Sequence, residues 1–404
     1  MGSEERYDIV IVGGGIVGLA TALALHRKGV QSLVLEKSDS LRSAGSGIGV
    51  FINGWRALDQ LGVSTQLQMK SIPISEVHDG LINRSRIRVT PCRNEALRCL
   101  KRSDLVEAIA NGLPAKAKSV RFGCQVVAVG RDPLTSFPVV HLDDGTNIKA
   151  KVLIGCDGSN SVVAKSLGLE APRLFQMNAV RGLTNYPNGH IYGNTGFRLI
   201  GDQLIFGRIP IDDKLVFWFV AWRDHSTDSE VEKIPENIRD LSLELLKEFP
   251  TKVIEMVKDC DLDSLSFTHI RHRAPWNFLL QNLYRGTMTV AGDAMHVMGP
   301  FLAQGGSSGL EDAIVLGRCL SRELQLGSKN EIDDDEFKKR SEVALKSYVK
   351  ERRLRVLRLS IQSYIVGSIV ATSSWGKRFL CIVILVTFFG GMSLSHTRYN
   401  CGPL

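Results

Sequence analysis

The chain has 404 residues, of which 44% are hydrophobic and 23% charged, and its formal net charge is +8. At about 100–200 residues per domain, this length predicts two domains or one domain with a large insertion, and the composition excludes disordered and fibrous proteins. The positive charge suits an acidic partner, such as a phosphorylated cofactor, an anionic membrane or a nucleic acid. Composition alone does not choose among these partners.

The cysteine pattern and the N-terminal sequence indicate the cellular compartment. The eight cysteines are scattered and form no CxxC pair, so zinc-site spacing is absent and a disulfide framework is not expected in a chain of this length. No signal or transit peptide is visible, because an apolar strand is predicted from about Tyr7. We therefore expect a cytoplasmic protein without a bound metal.

The N-terminal segment has the pattern of a βαβ unit. Tyr7–Val12 is a short, β-branched run typical of a strand buried in a parallel sheet. The residues GGGIVG follow at positions 13–18, a helical stretch ends before Gly29, and Ser32–Leu35 is the second predicted strand. A glycine turn between a strand and a helix is the arrangement that binds the phosphates of a nucleotide.

The glycine turn and the acid after the second strand predict a dinucleotide site. Gly13 permits a tight turn, Gly15 lets backbone amides approach a pyrophosphate, and Gly18 allows the helix to pack closely on the strand. The N-terminus of the helix adds a partial positive charge. Glu36 ends the second strand, where its carboxylate can accept hydrogen bonds from ribose hydroxyls and disfavours a 2′-phosphate. FAD or NAD is therefore favoured over NADP at this turn.

Two later strands also run into polar pairs. Val152–Cys156 is followed by Asp157-Gly158, and Thr287–Ala291 is followed by Gly292-Asp293. Between them, from about residue 173 to residue 223, apolar residues alternate and turn signals recur, which predicts β structure. Strands from the start, middle and late chain would therefore share one sheet.

These patterns predict an α/β fold with a discontinuous, Rossmann-like dinucleotide-binding domain of the glutathione-reductase type. An inserted, mostly antiparallel β domain would bind the substrate, and a helical tail would end the chain. The predicted bounds are residues 1–172 and 286–330 for the dinucleotide-binding domain, 173–285 for the β domain and 331–404 for the tail.

Three stretches resemble single-component FAD-dependent monooxygenases of the aromatic hydroxylase class, in particular plant zeaxanthin epoxidase-like monooxygenases. They are GGGIVG with Glu36, GCDGSNSVVAK at 155–165 and AGDAMHVMGPFLAQGGSSGLEDA at 291–313. The resemblance implies FAD as the cofactor and NADPH or NADH as a transient reductant. It also implies that a flavin C4a-(hydro)peroxide delivers one oxygen atom from O2 to a lipophilic or aromatic small molecule, by hydroxylation or epoxidation.

The resemblance also assigns cofactor-binding positions. It places Asp293 at the ribityl hydroxyls of FAD, Arg102 at the pyrophosphate or ribose, and Pro300 with the Gln304–Gly306 backbone along the isoalloxazine. Asp157 belongs to a motif associated with both FAD and NAD(P)H. Lys37 and Arg42, just after Glu36, could add positive charge near the adenosine. The predicted cofactor-binding residues are Gly13, Gly15, Ile16, Val17, Gly18, Glu36, Lys37, Arg102, Asp157, Asp293, Pro300, Gln304, Gly305 and Gly306.

Three positions depart from the pattern of this family. Ala303 stands where a glycine is usual, Ser307 where an asparagine is common, and Ala164 where an arginine is usual. Ala303 is expected to change the freedom of the loop rather than flavin binding, and Ala164 leaves the choice between NADH and NADPH open. His296, inside the third motif, is expected to pack or to hydrogen-bond near the flavin. No side chain is predicted to be catalytic, since the flavin carries the chemistry.

The predicted substrate pocket and the C-terminal tail are less sharply defined. Aromatic and cationic side chains of the β domain and of the third motif could line the pocket, namely Arg181, Phe206, Phe217, Phe219 and Phe301. Residues 291–309 of that motif are called the flavin loop below. In the tail, the apolar runs Ile361–Thr372 and Phe379–Leu394 follow a basic helix. The second run has fewer than the ~20 residues that a spanning helix needs. It could pack on the fold, contact a membrane peripherally or span one.

Three functions fit this sequence. Besides the monooxygenase, the same fold could serve an oxidase or dehydrogenase, or a flavoprotein with little turnover. We expect a monomer. Nucleic-acid binding is not expected, because no basic motif interleaved with aromatic residues accompanies the positive charge.

Overall fold

The computed structural model describes residues 5–41, 46–82, 84–92, 97–114, 119–201, 203–223, 234–325, 333–372, 374–389 and 394–404. Within these ranges the strands form three sheets. Arg42, predicted to add charge near the adenosine, lies outside the described residues. So does the first part of the acidic stretch Glu331–Glu336.

The first sheet is built around parallel strands from distant parts of the chain. Its strands are β1 (Glu5–Val12), β2 (Leu33–Leu35), β7 (Val120–Arg121), β8 (Val126–Arg131), β9 (Pro138–Leu142), β10 (Asn147–Gly155), β16 (Tyr284–Arg285) and β17 (Met288–Val290). Their order is β16-β17-β10-β1-β2-β7, and the β8–β9 hairpin attaches to β10. Strand β1 pairs in parallel with β2 and β10, and β10 pairs in parallel with β17. The prediction that early, middle and late strands share one sheet is confirmed.

Twelve helices are described, and they pack on the first sheet, on the second sheet and on one another. The helices are α1 (Ile16–Arg27), α2 (Ile52–Gln60), α3 (Ser64–Gln68), α4 (Arg102–Asn111), α5 (Val162–Ser166), α6 (Pro235–Leu245), α7 (Thr251–Lys258), α8 (Asn277–Leu280), α9 (Asp293–His296), α10 (Gly305–Gln325), α11 (Asp334–Ala371) and α12 (Trp375–Phe389). The main hydrophobic core lies between β1, β10 and β17 and the helices α1, α10 and α11. Because α1 is rich in alanine and leucine, nearly all of it is buried.

Helix α10 begins at Gly305, and α11 runs for 38 residues, so it includes the apolar run Ile361–Thr372 almost completely. Helix α4 begins at Arg102 and has no side-chain cap.

The second sheet is mostly antiparallel. Its strands, in order, are β15 (Cys260–His272), β11 (Arg173–Asn185), β14 (Leu215–Arg223), β13 (Leu204–Pro210), β12 (Thr195–Ile200), β4 (Glu76–Leu81) and β5 (Arg84–Pro91). Only the β12–β4 pair is parallel. Strands β4 and β5 come from the segment assigned by sequence to the dinucleotide-binding domain. The structure corrects the predicted boundary here, because residues 76–91 extend the sheet of the other domain.

A small third sheet joins the two layers. It pairs β3 (Gly47–Phe51) with β6 (Leu97–Lys101) in antiparallel fashion. A β-carbon at Gly47 would lie 2.5 Å from Cγ of Phe217 on β14, so the third sheet contacts the second sheet directly. The opposite face of the second sheet is covered by α6 and α7. The third sheet therefore lies against the inner face of the second sheet, the face opposite α6 and α7.

Candidate active site

The glycine turn after β1 has the geometry that the sequence predicted. Gly13 adopts φ +104°, and a β-carbon there would lie 2.5 Å from the carbonyl oxygen of Cys156. A β-carbon at Gly18 would lie 1.9 Å from the carbonyl oxygen of Gly13, so only glycine lets α1 approach the turn. A β-carbon at Gly15, by contrast, would meet nothing within 4 Å. The turn is thus tightly packed at two glycines and open at the third, beside the start of α1 at Ile16.

Glu36 lies at the end of β2, against the same turn. Its Oε2 accepts a hydrogen bond of 2.6 Å from the Gly14 amide, and its Oε1 accepts one of 3.0 Å from the Ser38 amide. The residue is only 5% exposed. These bonds fix the carboxylate at the rim of the turn, which is the position that a ribose-binding acid takes in dinucleotide folds.

A cleft of about 350 Å³ opens beside the turn. It is lined by residues from β1, β2, α4, β10 and the loops after them. The predicted cofactor-binding residues among them are Gly13, Gly15, Glu36, Lys37, Arg102 and Asp157. The structure therefore brings together at one cleft six of the predicted cofactor-binding positions, from the glycine turn, the end of β2, the start of α4 and the Asp157 motif.

The Asp157 carboxylate is engaged within the protein. Its Oδ1 accepts a hydrogen bond of 2.5 Å from the Ser161 hydroxyl, and its Oδ2 accepts one of 2.7 Å from the Val162 amide at the start of α5. Burial raises the pKa of Asp157, and these hydrogen bonds oppose that shift. The side chain thus holds the start of α5 at the cleft wall.

The flavin loop lies at the C-terminal end of β17. Asp293 is exposed at the start of α9, and a β-carbon at Gly305 would lie 3.9 Å from its Oδ1. Gly306 lies against Ile48 of β3. The side chain of Val17 packs on Gly292 and Gly309, so α1 connects this loop to the glycine turn.

Ala303 lies in this loop with φ +50° and ψ +37°. This left-handed conformation favours glycine and costs a residue with a β-carbon about 1 kcal/mol or more. The departure from the usual glycine thus adds strain at the end of the 3-10 turn Pro300–Leu302. Pro300 itself is exposed.

Several buried polar atoms beside the flavin loop have no hydrogen-bond partner within the described part of the chain. They are Asn53 Oδ1, His296 Nδ1, Gln304 Nε2 and Ser307 Oγ. Asn53 and Gln304 do bond each other through their other atoms, at 2.8 Å. Leaving a buried polar group unpaired costs about 1–3 kcal/mol. A ligand with donors and acceptors, such as an isoalloxazine ring, fits these residues.

A buried ionic network supports the loop, and sequence reasoning missed it. Asp312 accepts hydrogen bonds from the Gly292 amide (2.9 Å), His296 Nε2 (2.6 Å) and Arg352 Nε (2.6 Å). Arg352 also pairs with Glu311, its Nη1 lying 2.7 Å from Oε2. Burial would raise the pKa of Asp312, but its interactions with His296, Arg352 and the Gly292 amide hold it at about 2. The prediction for His296 is packing or a hydrogen bond to backbone; its ring is fully buried, as packing requires, but its Nε2 bonds the Asp312 carboxylate rather than backbone.

The network extends to the end of the chain. Glu311 accepts hydrogen bonds from Asn53 (2.6 Å) and Arg355 (2.9 Å). The Arg355 guanidinium lies 4.4 Å from the centre of the Tyr399 ring. The only sequence signal for this network was the arginine-rich helix, whose arginines on α11 would ordinarily be assigned to the surface.

The inner face of the second sheet carries most of the predicted pocket residues. Phe217 and Phe219 lie on this face, with ring centres 6.2 Å apart. Arg181 is opposite Phe219 on the neighbouring strand, and its Nη1 donates a hydrogen bond of 2.9 Å to Thr268. Burial lowers the pKa of Arg181, and the charge of Arg102 lowers it further. Phe217 on this face lies against Gly47 of β3, and Arg102 begins α4 directly after β6 of the same small sheet.

Phe206 does not belong to the pocket, and this prediction is wrong. Its side chain is fully buried in the cluster beneath α6 and α7, with its ring centre 6.4 Å from that of Phe249. The strand alternation places Phe206 on the outer face with Val220, opposite to Phe219. Phe301 lies at the other edge of the inner face, with its ring centre 5.2 Å from that of Phe175.

The predicted role of Glu36 and Asp293 in binding FAD can be tested by substitution. Glu36→Ala and Asp293→Ala are each expected to lower FAD affinity at least about tenfold, because each removes an acceptor for a sugar or ribityl hydroxyl. The measurement is the FAD dissociation constant by titration of apoprotein. Asp213→Ala, on an exposed turn of the second sheet, is the control and should keep FAD. Tight FAD binding by both acid variants would contradict the assignment.

The fold and the cleft beside the glycine turn define an α/β dinucleotide-binding protein with a second, mostly antiparallel sheet. A family described as FAD binding domain matches residues 6–356. Monooxygenase 1 of Arabidopsis thaliana is 48% identical over 403 residues, which cover 99% of this chain and 100% of the relative. Monooxygenase 2 of Arabidopsis thaliana is 36% identical over 411 residues, which cover 100% of both chains.

A solved structure shows the same fold. The crystal structure of Klebsiella pneumoniae HpxO in complex with FAD and uric acid has a TM-score of 0.77 at 20% sequence identity, and the match covers 94% of this chain and 92% of that one. The chain belongs to the single-component FAD-dependent monooxygenases. This confirms the resemblance drawn from the three motifs, with FAD as the cofactor.

Proposed function

We propose that the protein uses NADPH or NADH to reduce its FAD and then inserts one atom of O2 into a lipophilic or aromatic small molecule, by hydroxylation or epoxidation. The observation that carries this proposal is the aromatic inner face of the second sheet. Phe217 packs directly on Gly47 of β3, and Phe219 lies beside it. An apolar wall is thus built against the domain that holds the flavin.

The chain's own residues would bind and orient the cofactor. Gly15 and the start of α1 would accommodate the pyrophosphate, Glu36 the ribose, and Asp293 the ribityl chain. Gln304 and Asn53 have buried polar atoms available for the isoalloxazine. When bound, the flavin supplies the electron transfer from the nicotinamide and the activation of O2.

The second sheet would position the substrate and exclude water. Phe217, Phe219 and the Phe301 edge provide the apolar contacts, and an apolar enclosure protects reactive intermediates from hydrolysis. Arg181, partly buried near Arg102, would orient an anionic group such as a phenolate or a carboxylate. The names of the two Arabidopsis relatives, both monooxygenases, support oxygen insertion as the reaction.

The decisive experiment follows the oxygen atom. Purified FAD-loaded protein is incubated with NADPH or NADH, a panel of phenols, terpenoids and carotenoids, and ¹⁸O-labelled O2, and products are analysed by mass spectrometry. We expect substrate-dependent NAD(P)H consumption and a product that carries one ¹⁸O atom. Boiled protein and omission of the nicotinamide are the controls.

The other outcomes would replace the proposal with a defined alternative. An oxidised product without ¹⁸O would indicate an oxidase or dehydrogenase. NAD(P)H consumption that stays flat across the panel, with FAD still bound, would indicate a flavoprotein with little turnover.

A further inference from the structure

Apart from Lys377 and Arg378 in its first turn and Thr387, helix α12 consists of apolar residues and one glycine. One side packs against α11, with Leu385 only 4% exposed and Cys381 and Ile384 partly buried. A surface helix of a globular protein ordinarily turns a polar face outward, and a helix that is apolar all round is ordinarily covered on every side. The outward side of α12 therefore needs an explanation.

The outward side is a continuous stripe of large apolar residues. Trp375 is 79% exposed, Phe379 57% and Val386 59%, and Ile382 and Val383 are also exposed. At 100° per residue these five positions fall within an arc of about 100°, which is one face of the helix. The rings of Trp375 and Phe379 stack at 5.7 Å. An exposed patch of this kind marks an interaction surface.

The charge of the surrounding segment identifies the partner. After Glu351 the sequence has no aspartate or glutamate, whereas seven lysines and arginines follow. Arg352 and Arg355 pair with buried acids, but Lys377 is exposed at the start of α12. A protein partner with an apolar groove would not require this exclusion of acids. An anionic lipid surface favours it, because each acid near the bilayer would be repelled.

The dimensions indicate how the helix would lie. At 1.5 Å per residue, the 15 residues of α12 extend about 22 Å, which is less than the ~30 Å of a bilayer core. Helix α11 is long and apolar enough to cross a membrane, but 44% of its apolar window is buried inside the fold. Aromatic and aliphatic residues on one face, with lysine beside them, suit a helix in the plane of the interface.

We infer that α12 docks the protein on an anionic lipid bilayer, with Trp375, Phe379 and Val386 inserted among the lipids. The docking surface is close to the substrate side of the fold. The last turns of α11 pack on the inner face of the second sheet, where Tyr364 contacts Phe175 at 5.8 Å between ring centres. A bilayer at α12 would therefore lie one helix away from that face. The inference does not depend on the reaction proposed above.

Vesicle co-flotation of the FAD-loaded protein tests this inference. The probes are vesicles of phosphatidylcholine with and without phosphatidylserine. The wild-type protein is expected to float with phosphatidylserine vesicles, and Trp375→Ser/Phe379→Ser/Val386→Ser to lose at least about tenfold in affinity. The matched control is Met69→Ser/Leu134→Ser/Ile191→Ser, which removes three apolar side chains that are at least 75% exposed elsewhere on the protein and should bind as wild type.

Three results would overturn the inference. The first is a wild-type protein that floats with neither kind of vesicle. The second is an equal loss of vesicle affinity in the control variant. The third is vesicle binding that does not change with phosphatidylserine content or salt concentration. Light scattering tests the alternative that a second copy of the chain covers α12. A wild-type dimer that becomes a monomer in the Trp375→Ser/Phe379→Ser/Val386→Ser variant would support that alternative and contradict the inference. Retained visible flavin absorbance in each variant shows that the fold persists.

Discussion

Arg352→Ala is expected to lower the free energy of unfolding by about 3–5 kcal/mol, because it removes the buried guanidinium that pairs with both carboxylates and leaves Glu311 with Arg355 alone and Asp312 with His296 alone. Arg352, Glu311 and Asp312 are fully buried, and the two ion pairs are 2.7 and 2.6 Å long. The measurement is denaturant unfolding of the apoprotein. FAD affinity should fall as well, since Asp312 holds the Gly292 amide beside the flavin loop.

The control for this prediction is a surface cation. Lys247 pairs with Glu244 on an exposed surface, and Lys247→Ala should leave the unfolding midpoint unchanged because exposed ion pairs contribute little. Equal effects of the two substitutions would show that the buried network does not stabilise the fold.

Gly15→Ala is expected to weaken FAD binding at least about tenfold without destabilising the apoprotein. Its φ of −80° suits alanine, and the new β-carbon would meet no protein atom within 4 Å, so the added methyl group would occupy only the space proposed for the pyrophosphate. Isothermal titration of apoprotein with FAD measures the loss, and thermal unfolding without FAD tests the fold.

Gly18→Ala provides the contrast. Its β-carbon would lie 1.9 Å from the Gly13 carbonyl oxygen, so the apoprotein itself should unfold at a lower temperature. If Gly15→Ala binds FAD as tightly as wild type, the pyrophosphate does not lie at this turn.

The sequence predicted those parts of the fold that depend on residues close together in the chain. The strand before Gly13 and the strands before Asp157 and Asp293 are apolar runs that end in a turn signal, which is how strands buried in a parallel sheet read. The residue spacing from the glycine turn to Glu36 is set by one helix and one strand. These motifs therefore indicated the cleft residues correctly without knowledge of the remaining chain.

The parts that failed depend on distant partners. Bulky residues occupy both faces of β14, so alternation could not assign Phe206 on the neighbouring strand to the outer face or Phe219 to the inner one. The pairing of β4 with β12 joins residues more than 100 positions apart. Arg352 is one of several arginines on α11. It is buried because it pairs with Asp312 on α10, and the sequence of α11 alone does not show which arginine makes that pair.

The pairing of β4 with β12 also limits how the protein can be divided and how it can move. The chain enters the second sheet at β4, returns to the first, and enters again at β11 before its final strands. An excised fragment of residues 173–285 would expose the bare edge of β12, a site for aggregation. Because the chain crosses between the two layers several times, we expect large hinge movements between them to be restricted. Ligands would then enter and leave by local movement of loops or helices at the rim.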